Sequence, residues 1–390
     1  MSANQDQVLQ AVGAVIDPEI RRPLSGLGMV HQVSVRRGRT VVTVAVPTDT
    51  YPKASELTDL VTQAVAAVGG AGGEVELVLM DDDMRSELVA ALDTASRPPS
   101  RPGPASRPGP TPAQGQGHAP PGQRPNPFMR PDSPTRVLGI SSGKGGVGKS
   151  SVTVNVAISL ARRGHTVSVL DADVYGFSVP RMLGIDRNPM VIDKLLIPPV
   201  AHGVACMSMG FFVREDQPVV WRGPMLHKAL EQFMVDTWWG EPDYLVVDMP
   251  PGTGDVALSM AQYMPKSEVF VVTTPQIAAQ RVAQRTGYMS RQLKLPLRGV
   301  VENMSYFVGH DGTRYEIFGS GGGESVANDL GIPLLGQIPL VEAVRAGGDR
   351  GVPIVVSEPD GPSAQAFLTI AARIEAMGPA RVYRSELTVR

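Results

Sequence analysis

Residues 143–150 of the chain, Gly-Lys-Gly-Gly-Val-Gly-Lys-Ser, match the spacing G-x-x-x-x-G-K-[ST]. Glycines let the backbone bend so that its N–H groups point at a phosphate, while the lysine adds positive charge and the hydroxyl is a ligand for Mg²⁺. We therefore predict that Lys149 reaches the β and γ phosphates of a nucleotide and that Ser150 binds magnesium. The alternative is an ordinary glycine-rich turn, which the flanking strand and helix predicted below disfavour.

The predicted nucleotide-binding residues of this loop continue into the first turn of the next helix. They are Gly143, Lys144, Gly145, Gly146, Val147, Gly148, Lys149, Ser150 and Ser151. Lys144 is a second lysine, directly after the first glycine, and the basic spacing does not require it. Taken alone, such a lysine is more often a solvated charge on a loop.

Acidic residues follow two other apolar runs. Asp171 and Asp173 come after residues 167–170, and Asp248 comes after residues 244–247 and before a glycine-rich stretch. Carboxylates beside a phosphate-binding loop act on magnesium-bound or attacking water, as phosphoryl transfer requires. We therefore place Asp248 on the magnesium side of the site. The alternatives are a helix N-cap for one of the first two acids and an exposed strand-end acid for Asp248.

The apolar runs around these motifs predict a parallel sheet. Residues 137–140, 167–170, 244–247 and 269–272 are almost entirely apolar, which is typical of strands buried on both faces. A helix is predicted from residue 151 to about residue 163, closed by Gly164. Ligands bind at the carboxyl ends of such strands, where the motifs above fall. The predicted fold class of residues 136–390 is α/β, with a mostly parallel sheet flanked by helices.

The chain before residue 136 has a different character. Residues 96–135 are rich in proline, glycine and arginine and poor in large apolar side chains, which predicts a disordered linker. Residues 1–95 predict a small α+β domain. Its predicted helices cover residues 8–16 and 54–68, and its predicted strands cover residues 30–35, 40–46 and 74–80.

Composition limits the partners that we expect. The net charge is −2, which gives no excess of positive charge for nucleic acid or for an anionic membrane. The first residues are polar and no run of about 18 apolar residues occurs, so a cytoplasmic protein is expected. The single cysteine, Cys206, excludes an intramolecular disulfide and any site built from several thiolates of one chain.

Lys144, together with the loop and the acids, resembles the deviant P-loop family that includes MinD, ParA, the nitrogenase iron protein and ArsA. The resemblance implies an ATPase that acts on the β–γ phosphoanhydride with magnesium, and a homodimer in which Lys144 reaches the ATP of the partner subunit. It also implies that Asp173 positions the attacking water and that Asp171 holds the magnesium shell, the acids acting through water. The implied catalytic residues are Lys144, Lys149 and Asp173.

Asn303, in the sequence Glu-Asn-Met-Ser, is the last predicted nucleotide-binding residue. In the family that the chain resembles, an asparagine at this place contacts the adenine. Taken alone, an asparagine here is more often a loop-forming side chain.

Further motifs resemble the Mrp/ApbC branch, the iron–sulfur cluster carrier ATPases, over most of residues 136–378. These motifs lie at residues 171–176, 248–255, 302–305 and 317–322. In the N-terminal part, Asp-Pro-Glu at residues 17–19 and Leu-Gly-Met-Val at 27–30 resemble the small domain associated with metal–sulfur cluster assembly. The resemblance implies transfer of iron–sulfur clusters, with apoprotein clients or cluster assembly factors as partners.

The chain departs from this branch in its cysteines. The branch that the chain resembles usually carries a C-x-x-C pair between the last two motifs, whereas residues 306–316 of this chain contain no cysteine. The resemblance also implies a cysteine in the small domain, where Thr-Tyr-Pro stands at residues 50–52. We predict that Cys206 is a buried core residue and that His310 and Asp311 are solvated, so no iron–sulfur ligand is assigned. The alternative functions are an ATP-dependent dimeric scaffold or adaptor without a cluster and a MinD- or ParA-like positioning ATPase.

Overall fold

The computed structural model describes residues 4–36, 39–69, 73–95, 124–130, 132–174, 176–213, 223–252, 254–309 and 311–380. The helices are α1 (Gln5–Gly13), α2 (Ala54–Ala67), α3 (Asp82–Ala95), α4 (Lys149–Arg162), α5 (Val179–Met182), α6 (Gly223–Asp236), α7 (Asp255–Tyr263), α8 (Ile277–Gln292), α9 (Gly322–Leu330), α10 (Glu342–Arg350), α11 (Ile354–Ser357) and α12 (Pro362–Ala376).

The strands alternate with these helices through most of the chain. They are β1 (Val30–Arg36), β2 (Arg39–Val46), β3 (Glu74–Leu79), β4 (Arg136–Ser142), β5 (Val167–Asp171), β6 (Met190–Ile192), β7 (Leu195–Ile197), β8 (Val200–Ala201), β9 (Val204–Ser208), β10 (Tyr244–Asp248), β11 (Glu268–Thr273), β12 (Leu297–Glu302), β13 (Phe307–Val308), β14 (Arg314–Tyr315) and β15 (Leu334–Gln337). Short 3₁₀ helices occur at Leu24–Leu27, Pro127–Met129 and Met209–Phe212.

The chain forms two compact units. The N-terminal unit comprises Met1–Pro125 together with Met190–Ile197 and Val235–Gly240, and the large unit comprises Asn126–Pro189, Pro198–Met234 and Glu241–Arg390. Two short segments from the middle of the chain therefore belong to the N-terminal unit. The sequence-based domain boundaries, at residues 95 and 136, place both segments in the C-terminal domain.

The N-terminal unit has the predicted α+β character. Its three-stranded sheet has the order β1-β2-β3, with β1 antiparallel and β3 parallel to β2. β2 alternates between buried and exposed positions at its start because one face packs on the core. Asn4 caps α1 in a capping box with Gln7, so this helix begins three residues before its predicted start. Helix α3 was not predicted, although Leu88 and Leu92 are buried at the i, i+4 spacing of a helix.

The large unit contains an eight-stranded sheet with the order β15-β12-β11-β4-β10-β5-β9-β8. Every strand pair in it is parallel except β8 with β9. Strands β4, β5, β10 and β11 are buried along their whole length, because helices cover both faces of a parallel sheet. The predicted fold class, a mostly parallel sheet flanked by helices after a small α+β region, is confirmed.

The end of the predicted linker differs from the sequence-based expectation. Residues 96–123 lie outside the described residues, but Pro127–Met129 form a 3₁₀ helix with Phe128 buried. The Asn126 carboxamide accepts a hydrogen bond from the Phe128 amide and donates one to the Tyr263 carbonyl. A side-chain cap and an aromatic anchor therefore order a segment whose average composition predicts disorder. Among the described residues, no helix combines the length and apolar character needed to cross a bilayer.

Candidate nucleotide site

The loop at residues 143–150 connects the central strand β4 to helix α4, as the sequence predicts. Gly146 and Gly148 have φ of +81° and +79°, a backbone region that L side chains rarely adopt. At Gly143, a Cβ atom would lie 2.4 Å from the backbone carbon of Val282 in α8. Glycine is therefore required at the start of the loop for close packing and later in the loop for its turn.

Lys149, at the start of α4, is buried and faces two acids. Its Nζ lies 2.6 Å from Oδ2 of Asp248 and 3.7 Å from Oδ2 of Asp173. Ser150 donates a hydrogen bond of 2.6 Å to Oδ2 of the same Asp248 carboxylate. Side chains from β4–α4, from the segment after β5 and from β10 thus meet at one point, although up to 99 residues separate them in sequence.

Thr153 is a further contributor that the sequence analysis missed. Its hydroxyl donates a hydrogen bond of 2.6 Å to Oδ1 of Asp248. The spacing in the sequence could have predicted this contact, because Thr153 follows Lys149 by four residues and therefore lies on the same face of α4. With Lys149 and Ser150 on Oδ2 and Thr153 on Oδ1, both oxygens of Asp248 accept hydrogen bonds from α4.

Sheet register places the acids side by side. Asp248 pairs with Asp171 between β10 and β5, and Asp171 pairs with Ser208 between β5 and β9. Asp171 is completely buried and accepts hydrogen bonds from the amides of Asp173 and Val179 and from the Ser208 hydroxyl. Burial, followed by the negative charge of Asp248, raises the pKa of Asp171 to about 7. Asp248 is completely buried, so it is not an exposed strand-end acid. The N-cap alternative, raised for Asp171 or Asp173, holds in part, because Asp171 accepts a hydrogen bond from the amide of Val179, the first residue of α5.

A cavity of about 610 Å³ opens above this cluster. The predicted residues that line it are Lys144, Gly145, Gly146, Gly148, Lys149, Ser150, Ser151 and Asp173. Its other wall is apolar and was not predicted; it includes Val174, Met182, Leu226 and Val256. Gly143, Val147, Asp171, Asp248 and Asn303 are not in the lining. The loop, its two lysines and one acid therefore face the cavity, while the remaining predicted residues lie behind it.

Asn303 lies behind the loop. Its side-chain nitrogen donates a hydrogen bond of 2.9 Å to the carbonyl of Val147, and it is 5% exposed. A Cβ atom on Gly148 would lie 2.2 Å from that nitrogen, so the carboxamide packs directly against the loop backbone. In this structure Asn303 supports the shape of the loop, and its contact with adenine stays a prediction.

The segment between the Asn-Met-Ser motif at residues 303–305 and the Ile-Phe-Gly motif at 317–319 contains the antiparallel strand pair β13 and β14. His310 lies outside the described residues. Asp311 is exposed, and hydrogen bonds from Thr313 lower the pKa of its carboxyl. Within the described ranges, no group of three or more histidine, cysteine, aspartate or glutamate side chains is arranged to hold a metal ion.

Cys206 and Tyr51, which stands where the small domain is expected to have a cysteine, are both buried. Cys206 is completely buried in β9, as predicted, and burial raises the pKa of its thiol well above the ordinary value. In the N-terminal unit, the Tyr51 hydroxyl donates a hydrogen bond of 2.6 Å to Oδ1 of Asp17. The same oxygen accepts from the amides of Glu19 and Ile20, so the Asp-Pro-Glu motif forms a buried turn.

The parallel sheet, the glycine loop before α4 and the acid at the end of β10 define a P-loop NTPase, a class that hydrolyses nucleotides. The chain belongs to the ParA family described as NUBPL iron-transfer P-loop NTPase, whose model matches residues 133–375. Residues 5–77 match a second family model, described as iron–sulfur cluster assembly protein. The resemblance stated from the sequence is confirmed in both parts of the chain.

Relatives match nearly the whole chain. It is 44% identical over 372 residues to the iron–sulfur cluster carrier protein of Mycobacterium leprae, covering 93% of this chain and 91% of the relative. It is 39% identical over 376 residues to the carrier protein of Synechocystis, with 95% and 96% covered. Among solved structures, the nucleotide-binding protein of Archaeoglobus fulgidus in complex with ADP is 32% identical, with a TM-score of 0.52; the match covers 60% of this chain and 93% of that one.

Proposed function

We propose that this protein hydrolyses ATP at the P-loop as a homodimer, and that hydrolysis serves the transfer of iron–sulfur clusters to apoproteins. The observation that carries the ATPase part is the meeting of Lys149, Ser150 and Thr153 at the carboxylate of Asp248, below a cavity lined by the loop. Family membership and the names of the relatives support the role in cluster transfer.

The residues present fit a magnesium ion. Mg²⁺ prefers oxygen ligands and is held in nucleotide sites by one or two carboxylates together with phosphates. The Ser150 hydroxyl and the Asp248 carboxylate, with Asp171 beside it, offer such a set. When bound, the metal neutralises charge on the phosphate oxygens. The Lys149 ammonium lies 2.6 Å from Oδ2 of Asp248.

ATP binding changes the partners of Lys149. The β and γ phosphates compete with Asp248 for its ammonium, so the salt bridge within the chain is replaced by contacts with the nucleotide. Asp173, which lines the cavity and is 8% exposed, positions the attacking water. The loop amides and Lys149 stabilise the charge that develops on the phosphates.

The homodimer is supported by the surface near the cavity. The helices that begin beside it, α6, α7 and α8, each expose a large apolar side chain close to their first turn: Met225 (51%), Leu258 (49%) and Ile277 (69%). A contiguous apolar patch marks a contact surface, and we propose that these three side chains contribute to one in the dimer. Lys144 lines the same cavity, and the proposed dimer assigns this lysine to the site of the second copy.

Turnover of Mg-ATP by the purified protein tests the first part. We expect Lys149→Ala to reduce kcat to background, because the phosphates lose their buried cation. Lys144→Ala should lower kcat about 10-fold or more while the Kd for ATP changes less than about 3-fold, because this lysine acts on the site of the other subunit. An unchanged rate in the Lys144 variant would contradict the dimer mechanism.

A second candidate function is an ATP-dependent dimeric scaffold that holds no cluster itself. The complete burial of Cys206, the only cysteine of the chain, favours it. Anaerobic reconstitution with iron and sulfide separates the two functions. A carrier develops cluster absorption and restores activity to a cluster-requiring apoenzyme, whereas a scaffold retains no iron after desalting, and then the carrier function is wrong.

A further inference from the structure

The two lysines of the P-loop have different partners. Lys149 is buried between carboxylates, whereas Lys144 is half-buried and lines the cavity. Among the described residues, the Lys144 ammonium makes a single hydrogen bond, to the side-chain oxygen of Gln276 at 3.4 Å. An acceptor without charge therefore holds the cation that, in the proposed mechanism, must act on the nucleotide of a second copy.

Gln276 lies on a well-fixed segment. It is the residue before α8, and its carbonyl accepts hydrogen bonds from the amides of Ala279 and Gln280. The Gln280 side chain donates to the carbonyl of Pro275, which fixes the other side. The Gln276 side chain makes no capping hydrogen bond to α8, so its oxygen is available to Lys144.

Helix α8 also packs directly against the start of the P-loop. The close approach of the backbone at Gly143 to Val282 and Ala283 leaves no room for a Cβ atom. Backbone packing therefore holds α8 against the first residues of the loop. The distance from the Lys144 ammonium to the Gln276 oxygen then depends on the conformations of these two side chains.

We propose that Gln276 is a positioning residue that holds Lys144 at the edge of the cavity until the nucleotide of a second copy replaces it. This proposal rests on the homodimeric ATPase proposed above. A neutral amide oxygen at 3.4 Å holds the ammonium in place but is weaker than a phosphate, which carries charge. A carboxylate at this place would compete with the phosphate, so the absence of charge at residue 276 is the property that matters.

Gln276→Glu tests the proposal, because it keeps the shape of the side chain and adds one negative charge. Gln292→Glu is the matched control, since it adds the same charge at the other end of α8, about 24 Å along the helix at 1.5 Å per residue. We expect Gln276→Glu to lower kcat about fivefold, with KM for ATP within about twofold, because a half-buried ion pair then retains Lys144. The control should keep the wild-type kcat.

Gln276→Ala distinguishes charge from shape. If Gln276 only maintained the local structure, alanine would be more harmful than the isosteric glutamate. We expect the opposite order, with kcat highest for glutamine, lower for alanine and lowest for glutamate. The far-ultraviolet circular dichroism and melting temperature of each variant show whether it is folded.

The Lys144→Ala background completes the test. If Gln276 acts through Lys144, adding Gln276→Glu to Lys144→Ala lowers kcat no further, whereas independent effects add. The proposal would be overturned if Gln276→Glu and Gln292→Glu had equal kcat. It would also be overturned if Gln276→Glu lowered kcat as much in the Lys144→Ala background as in the wild type. Neither result would affect the proposed ATPase activity. Failure of the homodimeric ATPase proposal gives a different result: either the wild type shows no ATP turnover, or Lys144→Ala keeps the full wild-type turnover.

Discussion

Asp248 holds the candidate site together at the level of single residues. It accepts hydrogen bonds from Lys149, Ser150 and Thr153, all from the first turns of α4. The loop spacing predicted two of these side chains, because that pattern is local. The link from Asp171 to Ser208 was not predictable in the same way, since it depends on β9 pairing with β5.

The pKa of Asp171 makes the stability of the nucleotide-free protein depend on pH. The pKa is raised from 3.8 to about 7, first by burial and then by the charge of Asp248. At a pH between these two pKa values, the Asp171 carboxyl has lost its proton in the unfolded chain but retains it in the folded chain. The contribution of Asp171 to the free energy of unfolding is therefore largest below about pH 4. It decreases as the pH rises from about 4 to 7, by on the order of 4 kcal/mol.

Urea unfolding at pH 5 and pH 8 measures this effect against Asp171→Asn. Other groups titrate in both proteins, so the difference between wild type and the variant isolates Asp171. We expect the free energy of unfolding of the wild type, relative to the variant, to be lower at pH 8 than at pH 5. An equal difference at the two pH values would show that Asp171 titrates in its ordinary range.

At the level of elements, the P-loop keeps its shape through contacts from distant parts of the chain. Asn303, at the end of β12, hydrogen-bonds the Val147 carbonyl, and α8 packs on Gly143. The sequence predicted the strand, the loop and the helix, because their apolar runs and glycines are neighbours. It did not predict that Asn303 packs behind the loop, because an asparagine after a strand has several possible partners.

Gly148→Ala tests the requirement for this packing. A Cβ at residue 148 would face strain at φ +79° and would lie 2.2 Å from the Asn303 side-chain nitrogen. We expect a loss of about 1–3 kcal/mol in the free energy of unfolding of the nucleotide-free protein, measured in urea. Gly145→Ala is the control, because a Cβ there meets open space and the residue is outside the left-handed region of φ. Equal stability of the two variants would show that Asn303 does not pack tightly against Gly148.

At the level of the whole molecule, the N-terminal unit is completed by segments from far along the chain. The hairpin of β6 and β7 contributes Met190, Ile192, Leu195 and Ile197 to its core, and Trp238 joins them. The Thr48 hydroxyl lies 3.6 Å from the Met190 sulfur. Residues 190–197 follow the P-loop in sequence and carry no motif, so sequence patterns could not assign them to the small unit.

Trp238 is the side chain through which this assembly is best tested. It is 6% exposed, its amide donates to the Leu196 carbonyl, and the Arg22 guanidinium lies 5.8 Å from its ring. We expect Trp238→Ala to destabilise the N-terminal unit by about 3–5 kcal/mol, because a large buried side chain is removed. Urea unfolding followed by circular dichroism measures this loss, and calorimetry should show Mg-ATP binding unchanged, since Trp238 does not line the nucleotide cavity.

Tyr288→Ala supplies the comparison, because it removes an aromatic side chain of α8 that is 50% exposed. Such a surface change is expected to alter the free energy of unfolding by no more than about 0.5 kcal/mol. If the two variants unfold at the same urea concentration, Trp238 does not contribute to the core, and the assignment of residues 235–240 to the N-terminal unit is wrong. If Trp238→Ala alone is destabilised, a segment within the part of the sequence that matches the P-loop NTPase family is a structural part of the N-terminal unit, and this unit depends for its stability on residues that follow it in the chain.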